Sequence, residues 1–117
     1  MKANELMIGD WVLYGDVKCK ILCFIHDKCE VKLRRTGITL NPAPLKEFNP
    51  IPLTSEILEK NGWRYNDLPF VQGWEQYGIT IIDNRITFGQ NVSVKVEFVH
   101  QLQHALRLCG IDKEITL

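Results

Sequence analysis

His100 and His104 stand four residues apart in the stretch EFVHQLQHALRLCG, Glu97–Gly110. On a helix, an i, i+4 pair of imidazoles shares one face and can chelate a metal, with Glu97 in reach as a third ligand. A zincin-type site also needs a glutamate directly after the first histidine as general base. That position is Gln101, which takes no proton at neutral pH. Arg107, on the same side of the helical wheel, repels a cation. The expectation is a wet polar interaction face made of His100, Gln101, Gln103 and His104, with no metal.

Cys19, Cys23, His26 and Cys29 resemble a metal cluster when written in a line. Strand geometry argues against it. Four residues along a strand span about 13 Å, whereas a tetrahedral zinc holds each sulfur at about 2.3 Å. Small buried thiols in a reducing compartment account for these cysteines better than a disulfide frame does. The chain carries no Gly-x-Ser-x-Gly elbow, dinucleotide-binding turn or phosphate loop, and its acidic residues are scattered. A non-enzymatic protein without a cofactor is expected.

The third candidate is cationic. Residues 17–36 hold Lys18, Lys20, Lys28, Lys32, Arg34 and Arg35 against Asp27 and Glu30. In a hairpin, Lys18, Lys20, Lys32 and Arg34 alternate onto one side, and Phe24 is expected there too, placed to stack on a base. Phosphate-tracking cations around an aromatic form the footprint of a single-strand binding surface. A lysine-protected, solvated sheet face has the same composition.

Elements must position these groups. Residues 10–14 read as a short strand, and Val17–Ile25 and Cys29–Arg35 as a hairpin closed by His26-Asp27-Lys28. Pairing Ile25 with Cys29 puts Cys23 opposite Val31 and Ile21 opposite Leu33 on one apolar face. Residues 41–52, NPAPLKEFNPIP, contain four prolines and read as an extended connector. Thr54 is placed to cap a short helix that Asn61-Gly62 stops. Residues 63–78 are aromatic and carry no clear period. Ile79–Ile82 and Arg85–Phe88 flank Asp83-Asn84, a pair tolerant of positive φ, and Val92–Val96 extends the meander. In the closing helix Phe98, Val99, Leu102, Ala105, Leu106 and Cys109 form an apolar stripe that covers the sheet.

The fold class expected is α+β. A small β-barrel-like N-terminal unit, 1–48, is joined to a helix–three-stranded meander–helix unit, 49–117, the two sharing one core. Fourteen basic and fourteen acidic residues cancel over 117 residues, so no whole-molecule field selects nucleic acid or membrane. Residues 1–50 carry eight basic and six acidic side chains, and the remainder six and eight. No apolar run approaches the roughly 20 residues of a membrane span, and the first residues lack a signal-peptide core. A cytoplasmic location is expected.

Three stretches, IGDWVLYGDVKCKI, PIPLTSEILEKNGW and FVHQLQHALRLCG, together resemble a family of small uncharacterised proteins of bacterial prophages and mobile elements. Its members carry a similar IGNWV opening, a PIPLTEEIL-KNGF segment and a closing YVHQLQNLY-ALTG helix. His100, Gln101, Leu102 and Gln103 match the closing motif, while His104 stands where Asn is usual. The opening block also resembles small Src-homology-type barrels, including the KOW kind of nucleic-acid-associated proteins. The resemblance implies no particular activity, and the function expected is that of a non-enzymatic binding or adaptor protein of a phage or mobile element, acting through a protein partner. The alternative is a nucleic-acid-binding accessory that uses Lys18, Lys20, Phe24, Lys32 and Arg34.

Overall fold

A computed structural model describes residues 5–69, 71–88 and 92–117. It is α+β with mostly strands: two antiparallel five-stranded sheets and two short helices. Met1–Ile51 forms one compact unit and Pro52–Leu117 the other.

The first unit contains β1 (Trp11–Tyr14), β2 (Val17–Ile25), β3 (Lys28–Leu33), β4 (Ala43–Pro44) and β5 (Phe48–Pro50). Their order in the sheet is β4-β3-β2-β1-β5. The long hairpin forms, but its register differs from the expected one. A two-residue turn with His26 at φ 55 pairs Ile25 with Lys28, so Phe24 lies opposite Cys29 and Cys23 opposite Glu30. The register then shifts between Ile21 and Cys23, leaving Ile21 opposite Val31 and Cys19 opposite Leu33. One extra residue in a strand turns the remainder to the other face. The bulge therefore keeps Cys19, Ile21, Cys29 and Val31 inside while bringing Phe24 to the same side. Leu6, Val12, Leu45 and Phe48 complete this core, with Tyr14, Phe24 and Leu33 packed on it.

The proline-rich stretch is more than a connector. Ala43 pairs with Cys29, a single turn of 3-10 helix covers Leu45–Glu47, and Phe48 pairs with Tyr14. It thus supplies both edges of the sheet, the positions where a residue without an amide donor is tolerated. Residues 49 and 50 belong to this ladder, so the first unit runs past the expected limit at 48.

The second unit begins with α1 (Ser55–Lys60). Thr54 accepts from the Ile57 amide at 3.2 Å, and a Schellman stop follows, in which Trp63 N donates to Leu58 O and Gly62 N to Glu59 O. Gly62 takes φ 87 there, as that stop requires. The aromatic stretch without a clear period forms β6 (Arg64–Leu68) and β7 (Val71–Gln76). They are followed by β8 (Ile79–Ile82), β9 (Arg85–Phe88) and β10 (Val92–Lys95), in a meander of order β10-β9-β8-β7-β6. Asp83 and Asn84 adopt φ 50 and 60, and Ile81 pairs with Ile86, as the sequence leads one to expect. Gly89-Gln90-Asn91, which precede β10 in the sequence, lie outside the described residues. Among the described residues no helix is long and apolar enough to cross a membrane.

The closing helix, α2 (Val99–Leu108), is buried over a wider arc than its apolar stripe. His100 and Gln103 are each only 4% exposed, beside Val99, Leu102, Ala105 and Leu106. Residues 111–117 explain part of this. Their Ile115 and Leu117 are buried, and Gln103 bonds their backbone at Lys113 and Ile115. Cys109, expected on the stripe, is exposed as the C-cap.

Candidate nucleic-acid interface

The face of the first sheet opposite its core is set by strand alternation. Val12 is fully buried, so Trp11 and Leu13 point the other way. Trp11 pairs with Lys20 and Leu13 with Lys18 across β1 and β2. Lys20 in turn lies directly opposite Lys32 across β2 and β3, and the Arg34 amide donates to the Lys18 carbonyl at 3.0 Å. Lys18, Lys20, Lys32 and Arg34 are thereby brought to one surface. Lys20 Nζ stands 5.6 Å from the centroid of the Trp11 ring, a cation–π distance. A shallow depression lined by Asp16, Val17, Lys18, Arg34 and Arg35 closes one end.

Phe24 is not part of this surface. The bulge turns it to the core side opposite Cys29, which corrects its expected place among the cations. The aromatic of the cationic face is Trp11. A signal for it was present in the sequence, since a buried Val12 in the run Trp11-Val12-Leu13 forces its neighbours outward. The pairing of Trp11 with Lys20 depends on a strand register that no local pattern states.

The polar face expected on α2 is also corrected. Gln103 is a buried clamp on residues 111–117, and His100 is buried with its ring stacked on Phe98, centroids 6.0 Å apart. Gln101 Oε1 accepts from the Glu97 amide at 2.8 Å and the Phe98 amide at 3.1 Å, which makes it a helix-start residue. His104, half-buried, meets the His100 ring edge-on at 5.6 Å.

All four cysteines are free thiols. Burial pushes the Cys29 thiol up to about 11, with further contributions from Cys23 and Cys19, and burial likewise raises Cys19. Cys23 Sγ donates to Glu30 Oε2 at 3.5 Å. Such protonated thiols are poor nucleophiles and poor metal ligands. Among the described residues no group of three or more His, Cys, Asp or Glu side chains is arranged to hold a metal ion.

Comparison with family models, with curated proteins and with solved structures returns no match to this chain. The functional reading therefore rests on the geometry of its own surfaces.

Proposed function

We propose that this chain is a binding protein of a phage or mobile element whose N-terminal unit, a Src-homology-type β unit, contacts nucleic acid through its cationic sheet face. The observation that carries the reading is the direct opposition of Lys20 and Lys32 beside Trp11. Like charges opposed across an antiparallel pair destabilise a sheet by roughly 0.2–1 kcal/mol. A phosphate between the two ammonium groups turns that repulsion into attraction, and the indole offers a base a surface to stack on.

The test is a salt titration of binding to a fluorescent single-stranded oligonucleotide. Four phosphate contacts predict a slope of log K against log salt near −3, at about −0.7 per contact. Lys32 and Arg34 are exposed, so Lys32→Glu with Arg34→Glu should abolish binding and leave the fold intact. Absence of salt-dependent binding at low ionic strength sinks the proposal.

A second reading, contact with a protein partner, draws support from a cleft in the second unit. Leu53, Leu58, Tyr65, Trp74 and Ile81 line it beside the Asp83-Asn84 turn. Tyr65, 53% exposed, meets Trp74 edge-to-face at 5.3 Å. Aromatic side chains in such settings commonly anchor protein interfaces.

A further inference from the structure

Residues 111–117 are held in an unusual way for a piece of core. They form no helix and join no strand ladder. Their backbone is instead recognised by side-chain amides. Gln103 Nε2 donates to Lys113 O at 3.0 Å while Gln103 Oε1 accepts from Ile115 N at 3.0 Å. One step further along, Asn61 Oδ1 accepts from Thr116 N and Asn61 Nδ2 donates to Thr116 O, both at 2.7 Å. Lys60 Nζ adds a bond to Leu117 O at 2.6 Å. Two primary amides, each satisfying an N–H and a C=O, reproduce what a neighbouring strand supplies in strand addition, with no strand present. The side chains alternate in the same sense. Ile115 and Leu117 are 3% and 5% exposed, and Thr116 between them points to solvent. Asp112, Lys113 and Glu114 are exposed, and Gly110 turns the chain out of α2 at φ 74.

We propose that the surface formed by Lys60 and Asn61 at the end of α1 together with Gln103 of α2 is a peptide-binding site, occupied in cis by residues 111–117. Its ligand class is an extended segment with two large aliphatic side chains two residues apart, read through its backbone by the two amides. The occupant in trans is a segment of that pattern on a partner protein, which displaces the chain's own tail. The tail is a competitor tethered at high effective concentration, so it sets the affinity that a partner must exceed. This inference stands apart from the nucleic-acid reading, since it concerns the other unit and a different chemistry.

The probe is a fluorescein-labelled peptide of residues 111–117, titrated against the full chain and against Ile115→Asp with Leu117→Asp, in which the tail anchors are lost. Removal of the tethered competitor should tighten peptide binding by about tenfold or more. Adding Gln103→Ala to that variant should abolish the gain. A folded tail variant that ignores millimolar peptide overturns the proposal, as does a variant that unfolds and is not restored by the peptide. The wild-type chain gives an independent measurement. A displaceable tail opens without global unfolding, so the Ile115 and Thr116 amides should exchange at least about tenfold faster than those of Ile81 and Ile86. Equal protection at these amides would show that the tail is fixed core, and would overturn the assignment.

Discussion

On the nucleic-acid reading proposed above, Lys32 is costly to the fold and useful to a ligand. Facing Lys20 across the strands, it should weaken the free protein, so Lys32→Glu is expected to raise stability by roughly 0.2–1 kcal/mol at low salt while oligonucleotide binding is lost. Urea denaturation beside the binding titration checks both signs, and a destabilised variant would contradict the account. Asp10 behaves in the opposite way. It is fully buried, and its Oδ2 accepts from the Met7 amide at 2.7 Å across the turn that leads into β1. Asp10→Ala should cost about 1–3 kcal/mol by stranding that donor, and Asp10→Asn, which keeps an acceptor oxygen, much less. Cys29 ties stability to alkaline pH. An unfolded thiol ionises near pH 8.5, whereas this one holds its proton to about 11. Between those values the native state binds the extra proton, so stability is intact below the window and falls as pH rises through it, by about 3 kcal/mol. Urea midpoints measured across that range should fall, and Cys29→Ala should flatten the fall. At this scale the shared facing of Lys18, Lys20, Lys32 and Arg34 was legible, since their alternation survives any even slip. That of Phe24 was not, because a turn one residue shorter reverses the facing of residues 23–25 while Cys29 and Val31 stay inside.

Among the elements, the β8–β9 hairpin was legible because Asp83-Asn84 allows few backbones other than a tight turn. The β7–β8 turn was not, since it places Tyr77 at φ 55, a conformation that a tyrosine does not advertise. For α2 the apolar period located the helix correctly but not its buried arc. That arc depends on residues 111–117, which carry no periodic signal and are fixed by the amides of Asn61 and Gln103. Leu106, 2% exposed, should lose about 2–5 kcal/mol on substitution by alanine. His104→Ala should stay within about 0.5 kcal/mol. Calorimetry of the two variants separates this orientation from one in which the histidine row is outermost or innermost throughout. Gly73 constrains the meander in another way. A Cβ there would collide with the Ile81 carbonyl oxygen, so Gly73→Ala must push β7 and β8 apart and is expected to lower thermal stability by several degrees.

Taken as a whole, the molecule is electrically neutral near pH 6.8, yet carries its cations unevenly. Electrophoretic mobility should reverse sign close to that pH. Composition alone showed the neutrality and concealed the face, since a sum over residues carries no register. The first sheet also ends in β4 and β5, two very short strands that each contain a proline, Pro44 and Pro50. An open sheet offers its outermost backbone groups to any other chain that arrives extended, and repeated pairing of that kind grows fibres. A ring nitrogen has no proton to offer, and a strand of two or three residues gives an incoming strand little length to align against. The same stretch that links the two units thus closes the sheet to polymerisation. Replacing Pro44 and Pro50 with valine should leave the monomer folded and shorten the lag before thioflavin-positive aggregates form in concentrated solution.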